Sequence, residues 1–209
     1  SLHLHLFDQS KIPLAKKAIR RNMGVMAISP ADKGGKLHLP SDILKKATLP
    51  YHPLEIAYRF LLSEGITTLS LGASKQNDFD LPIKLANATQ KLSKLEIEII
   101  KNIETESNKR LGITKCEQCR ACLPCPSEVP IPEILRLRNM YIGNGQEEFA
   151  KERYNLIGRA GHWWEKKNGN NCMSCNLCVP KCPNKLDIPY LLKETHNLLL
   201  DKPKKRLWG

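Results

Sequence analysis

The first 115 of the 209 residues contain no cysteine. That absence excludes a secreted disulfide scaffold, which would distribute its half-cystines along the whole chain. Aromatic residues make up only 6%, and no uncharged apolar run approaches the roughly 18 residues that a membrane-spanning helix needs. No charged-then-apolar leader follows Ser1, so no secretory signal is read there. Strand-like alternation is missing after about residue 110, which excludes a sheet in the second half. What is present is an ordinary globular composition, 41% hydrophobic and 26% charged, with Leu and Ile in patterned blocks.

Before residue 110 the chain alternates between strand-like and helix-like stretches, as a parallel βα architecture does. Leu2, Leu4 and Leu6 alternate with His3 and His5. A basic helical stretch follows from Ala15 to Met23, then Gly24, a short apolar run Val25 to Ile28, and a turn at Ser29-Pro30. The stretch Asp32 to Pro50 reads as loop with a short helix. Leu54, Ala57, Tyr58, Leu61 and Leu62 mark one face of a helix ended by Gly65, and Ile66 to Leu71 reads as a strand closed by Gly72. A last helix starts at Ser93, with Glu96 three residues on completing a capping box. Its expected buried side is Leu92, Leu95, Ile99 and Ile103. Three parallel strands want neighbours on both edges and cover on both faces, so residues 1–109 read as the end of something larger.

All eight cysteines fall between Cys116 and Cys182. Cys116 to Leu135 reads C-x2-C-x2-C-x2-C-P-S-E-V-P-I-P-E-I-L, and Cys172 to Leu192 reads C-x2-C-x2-C-x3-C-P-N-K-L-D-I-P-Y-L-L. After each Cys-Pro the pattern recurs at an offset of 57 residues. The spacing predicts helices at Pro132 to Tyr141, Gln146 to Ile157 and Pro189 to Leu200, with Pro132 and Pro189 in first helical turns. Three thiolates at two-residue gaps curl the backbone around one face of a cubane iron–sulfur cluster. In two-cluster arrangements the cysteine before proline ligates the other cluster, and a residue before proline is pushed out of helical geometry. The expected sets are Cys116, Cys119, Cys122 and Cys182 for one [4Fe–4S] cluster, and Cys172, Cys175, Cys178 and Cys125 for the other. Zinc is the rival metal, since four thiolates also suit it, although zinc hooks are ordinarily two separated C-x-x-C pairs. Eight thiolates point to a reducing compartment, the cytoplasm.

The formal charge is +12, with +5 on residues 1–109 and +7 on residues 110–209. This is read as a solvated lysine-rich surface or as a docking face for an acidic electron-transfer protein. Lys202, Lys204, Lys205 and Arg206 form a small basic tail. No nucleic-acid motif accompanies the charge. His3 and His5 share one side of the first strand and are weighed as metal ligands against surface or lining residues. His162-Trp163-Trp164 is expected to pack beside a cluster. Gly72, Ser74 and Lys75 after a strand offer amides, a hydroxyl and a cation, a combination suited to phosphate.

The succession GVMAISP (Gly24 to Pro30), PLEIAYRFLLSEG (Pro53 to Gly65) and ITTLSLGAS (Ile66 to Ser74) resembles the last third of the aldo/keto reductase barrel. CEQCRACLPCPSEVPIPEIL resembles the helical ferredoxin extension of one branch of that family, which shares the short final gap of the first motif. The resemblance implies an α/β fold class for residues 1–109, the last strands of a TIM-type barrel. It implies an all-α helical ferredoxin-like domain for residues 110–209. It places NADP or NAD against Ser29, Gly72, Ser74 and Lys75. The family's catalytic tyrosine, lysine, aspartate and histidine lie in earlier strands, so no catalytic residue is carried onto this chain. A small-molecule carbonyl substrate is expected only with a full barrel. The expected function is an iron–sulfur oxidoreductase of aldo/keto reductase type. A non-catalytic ferredoxin-like electron carrier or subunit and an iron–sulfur redox sensor stand as alternatives.

Overall fold

A computed structural model describes residues 1–31, 36–159 and 165–201. The chain forms two compact units, Ser1–Glu104 and Thr105–Gly209. The sequence-based division at 109/110 lies inside the helix that also contains this boundary.

In the first unit, β1 (Leu2–His3), β2 (Met26–Ile28) and β3 (Thr68–Leu69) form a parallel sheet in the order β1-β2-β3. Leu2 pairs with Ala27, and Ala27 with Leu69. Helices α1 (Ile12–Ile19), α2 (Asp42–Ala47), α3 (Pro53–Ser63), α4 (Asp80–Leu85) and α5 (Lys94–Leu111) follow in chain order. Ser41 caps α2 by accepting the Leu44 N–H, and His52 Nδ1 caps α3 by accepting the Leu54 N–H. Gly65 ends the α3 segment in the left-handed region, φ 82°, where a side chain would be strained.

The expected α/β barrel fragment is corrected by this architecture. Each strand is two or three residues long and the sheet is open, so helices, not strands, carry the unit. The alternation Leu2-Leu4-Leu6 signals a two-faced strand, but Leu4, His5 and Leu6 are all buried and the chain turns back at a His5–Asp8 bridge. The strand ends because the chain reverses there, the Asp8 N–H donating to the His5 carbonyl at 3.0 Å. The barrel resemblance therefore fails at the level of fold.

The capping box at α5 forms: the Glu96 N–H donates to Ser93 Oγ, and Glu96 Oε2 accepts the Ser93 N–H. Ile99 and Ile103 are buried and Leu92 is half-buried, but Leu95 is exposed and Glu96 is buried in its place. The cause is Arg59 of α3, equally buried, whose Nε donates to Glu96 Oε1 at 2.7 Å. The Arg59 guanidinium also donates to the carbonyls of Ala88, Gln90 and Lys91. A charge removed from water in this way needs every donor engaged.

In the second unit the described residues form helices and loops only. Helices α6 (Ile131–Asn144), α7 (Glu147–Tyr154) and α8 (Ile188–Leu199) surround a core of Ile131, Ile134, Leu135, Leu191 and Leu192. Pro132 and Pro189 lie in first turns, where the missing N–H costs nothing. Gly145 closes α6 at φ 65°, with its N–H on the Met140 carbonyl. No described helix is long and apolar enough to cross a membrane. Asp32 to Gly35, His162-Trp163-Trp164 and the Lys202–Arg206 tail lie outside the described residues.

Candidate metal centre

The two cysteine loops repeat in backbone conformation as well as in sequence. Gln118 and Ser174, Arg120 and Asn176, and Glu128 and Lys185 occupy matching places, and all six have positive φ between 51° and 63°. The turns match too. Leu123 N–H donates to the Arg120 carbonyl and Val179 N–H to that of Asn176, each at 3.1 Å. Glu128 N–H reaches the Cys125 carbonyl at 2.9 Å, as Lys185 N–H reaches that of Cys182 at 3.0 Å. Left-handed residues every few positions coil the chain so that cysteines two residues apart face one interior.

That interior is two hollows. One is lined by Cys116, Cys119, Cys122 and Cys182 over Ile131, Leu135 and Ile188. The other is lined by Cys122, Cys125, Cys172, Cys175 and Cys178 over Ile131 and Leu192. Each hollow thus takes three cysteines from one loop together with the pre-proline cysteine of the other, and Cys122 lines both. All eight are free thiols; Cys119 and Cys175 are exposed, Cys122 is buried and the rest are intermediate.

Burial pushes the Cys122 thiol up to about 11, with Cys116, Cys119 and Cys178 adding like-charge repulsion. Burial also raises Cys116 and Cys178; in each case cysteines of both loops contribute to the rise. Thiols so placed stay protonated near neutral pH until a coordinating metal displaces the proton to water. Among the described residues, no three His, Cys, Asp or Glu side chains gather as ligands of one metal ion. Zinc would draw four sulfurs to about 2.3 Å from a single point, whereas a cubane carries each thiolate on a separate iron. The donor set, all sulfur over apolar floors, fits iron–sulfur clusters.

Side chains from the helices fix the loops. Asn139 of α6 clamps Cys116 at two points: its Nδ2 donates to the Cys116 carbonyl at 2.8 Å and its Oδ1 accepts the Cys116 N–H at 3.4 Å. Arg138 donates to Glu194 of α8 at 2.6 Å and to the Thr114 hydroxyl at 3.2 Å, securing the turn before Cys116. The second loop is held through Gly169, whose carbonyl accepts the Cys172 N–H at 3.2 Å. Gly169 N–H donates to Tyr154 Oη at 3.0 Å, and Tyr154 Oη lies 2.7 Å from His196 Nδ1. Burial pushes Tyr154 up to about 12, so it stays a phenol and donates to His196. Sequence reasoning missed Asn139, Arg138, Tyr154 and Gly169. Their partners are tens of residues away, and no local pattern marks them.

The residues expected to bind a nicotinamide nucleotide lie elsewhere, in the first unit. Ser29, φ 60°, follows β2, and its Oγ stands 3.4 Å from His3 Nδ1. Gly72, Ser74 and Lys75 follow β3 and are exposed. The Ser74 and Lys75 amides already donate to Asp78 Oδ2, at 2.8 and 3.1 Å. These bonds, the Ser74 amide foremost, hold the Asp78 carboxyl below its usual range. A carboxylate thus stands where a phosphate was expected. His3 and His5 do not share an open face either, since His3 is exposed and His5 is buried.

An all-helical domain with two interlocked four-cysteine hollows is an iron–sulfur protein architecture. A protein-family model described as a 4Fe-4S dicluster domain matches residues 115–187. The match spans both cysteine loops and supports iron–sulfur cluster binding and electron transfer by this part of the chain. No curated protein and no solved structure matches the chain.

Proposed function

We infer that residues 105–201 form a one-electron relay holding two [4Fe–4S] clusters with exchanged ligands. Cys116, Cys119, Cys122 and Cys182 hold one; Cys172, Cys175, Cys178 and Cys125 hold the other. The observation that carries this reading is the lining of the hollows, each completed by the pre-proline cysteine of the opposite loop. Clusters of this kind, when bound, accept and release single electrons. The chain's own part is to hold the ligand sets in place over apolar floors. Ile131 underlies both hollows and Cys122 lines both, so the two sites share a wall. Asn139, Arg138 and Gly169 fix the entry to each loop, which limits reorganisation when the charge of the site changes.

The reading is of a ferredoxin-like carrier or subunit rather than a reductase of the aldo/keto type. The described residues of the first unit form an open three-stranded sheet, and two amides of its nucleotide candidate are engaged by Asp78. The test is anaerobic reconstitution followed by iron and sulfide analysis and electron paramagnetic resonance of the reduced protein. About eight irons and eight sulfides per chain are expected, as two cubanes require. Cys182→Ser should perturb the same spectral component as Cys119→Ser, and Cys125→Ser the same component as Cys175→Ser. Pairing of Cys182 with Cys175 instead would overturn the exchanged assignment. A content of four irons would overturn the pair of clusters.

A further inference from the structure

The two cysteine loops share a backbone but not a surface. From Lys166 to Leu186 the sequence has four lysines, Lys166, Lys167, Lys181 and Lys185, with exposed Glu165 and Asp187 at the two ends as the nearest carboxylates in sequence. All four are exposed, and among the described residues none has a carboxylate within ion-pair distance. The first loop is neutralised locally. Lys115 meets Glu117 at 3.3 Å and Arg120 meets Glu133 at 3.6 Å. Apolar exposure differs as well. Met173 and Leu177 are 68% and 56% exposed, one on each side of exposed Cys175. In the first loop Ile113, 93% exposed, precedes the cysteines, and no large apolar side chain is exposed between Cys116 and Cys125.

An apolar centre rimmed by uncompensated charge of one sign is the anatomy of a transient protein interface. The rim steers encounter, and the centre excludes water on contact. We propose that the second cysteine loop is the docking face for an acidic one-electron carrier protein, with Met173 and Leu177 as its apolar contact and the four lysines as its steering rim. The proposal rests on the reading that this loop holds a cluster. One electron leaves the partner's reduced centre and enters the cluster held by Cys125, Cys172, Cys175 and Cys178, or returns by the same route. No bond forms or breaks and no proton moves.

The probe is reduced plant-type ferredoxin, an acidic one-electron donor, mixed anaerobically with the reconstituted chain in a stopped-flow instrument. Binding of the oxidised pair is followed by calorimetry. The transfer rate should fall steeply with added salt. Lys181→Glu/Lys185→Glu should lower the low-salt rate and the affinity by about ten-fold or more, within the range that electrostatic steering spans. Lys166→Glu/Lys167→Glu, farther from any cysteine, should act in the same direction. The same charge change at Lys11→Glu/Lys17→Glu, in the first unit, alters net charge equally but leaves the loop lysines in place, and should lower both readouts by less than either loop pair does. Met173→Ala/Leu177→Ala should weaken binding even in high salt.

Iron content and the reduced-state spectrum are measured for every variant. A wild-type chain without clusters would overturn the underlying reading. Intact clusters with no transfer, a salt-independent rate, or equal losses from the two surfaces would overturn the docking face alone. Tighter retention of a short DNA duplex than of ferredoxin by the same lysines would also overturn it.

Discussion

The two units hold themselves together by different means. The first has a core of aliphatic side chains, among them Leu4, Leu37, Ile56 and Leu61, with the buried ion pair Arg59–Glu96. The second has Cys122 inside its apolar core and Cys116, Cys125, Cys172, Cys178 and Cys182 packed against it. Its core and its ligand cage are therefore one body, and whatever occupies the hollows acts directly on the packing. One unit is closed by hydrophobic burial; the other is completed by coordination.

The largest effect expected from this difference follows cluster removal. Treating the reconstituted chain with chelator and oxidant should abolish amide protection across residues 115–195 while residues 1–104 keep theirs. Hydrogen exchange read by mass spectrometry measures both in one sample. Equal loss in both units, or none in the second, would break the comparison.

Next in size is the ion pair. Arg59→Met leaves Glu96 buried without its partner, and breaking a pair this enclosed costs about 3–5 kcal/mol. The loss should fall on the first unit's unfolding transition, with iron content unchanged. Replacing both residues, Arg59→Met with Glu96→Leu, should recover much of the stability, because no charge is then left stranded. Failure of the double variant to recover would mean that the three carbonyls held by Arg59 matter more than Glu96.

A smaller effect is expected at Gly169. A Cβ there would stand 2.6 Å from the Leu192 carbonyl oxygen and 3.1 Å from Tyr154 Oη. Gly169→Ala forces backbone or helix α8 to shift and should cost about 1–3 kcal/mol, as overpacking does. Because Gly169 anchors Cys172, the spectral component of the second loop should broaden while that of the first stays sharp. Asn139→Ala should produce the mirror result, broadening the first component at about 1–3 kcal/mol for the stranded Cys116 backbone groups. Broadening of both components by either variant would show that the loops are not anchored independently.

Legibility followed the range of the interactions. The cysteine repeat, the prolines at the starts of α6 and α8 and the Ser93–Glu96 box are local signals, and each could be read from a handful of adjacent residues. The left-handed positions were not readable, since Gln118, Arg120 and Glu128 are not turn-forming residues; the coil of the cysteine loop imposes their conformation. Leu95 was misjudged because helical periodicity knows nothing of Arg59, thirty-six positions earlier. The strands were over-read for a related reason. Alternation at Leu2, Leu4 and Leu6 is equally produced by a chain that buries every residue from Leu4 to Leu6. In the site, the cysteines were visible but the clamps from Asn139, Arg138 and Tyr154 depend on helices packing first.

The smallest effect expected is a dependence on acid, and it sharpens the comparison at one residue. His196 of α8 has its pKa lowered from 6.5 by burial, so the folded second unit favours the neutral ring. A depressed folded pKa means that the unfolded chain binds the proton more readily. The stability due to neutral His196 is therefore fully present above 6.5 and is lost as pH falls toward and through the lowered folded value. The structural reason is local: Nδ1 accepts from the Tyr154 hydroxyl, and a protonated ring cannot accept. Tyr154 would then face two donors, His196 and the Gly169 N–H, with its own proton unplaced. Gly169 amide exchange should accelerate on acidification, and Cys172 should be the first ligand to feel it. His196→Gln, whose side-chain oxygen accepts at every pH, should flatten the dependence of Gly169 protection while leaving the first unit's response unchanged. In that unit His52, also lowered chiefly by burial, caps α3 through the same kind of acceptor nitrogen. Its acid response should persist in the His196 variant, and disappear only when His52 is replaced by the non-titrating cap Asn.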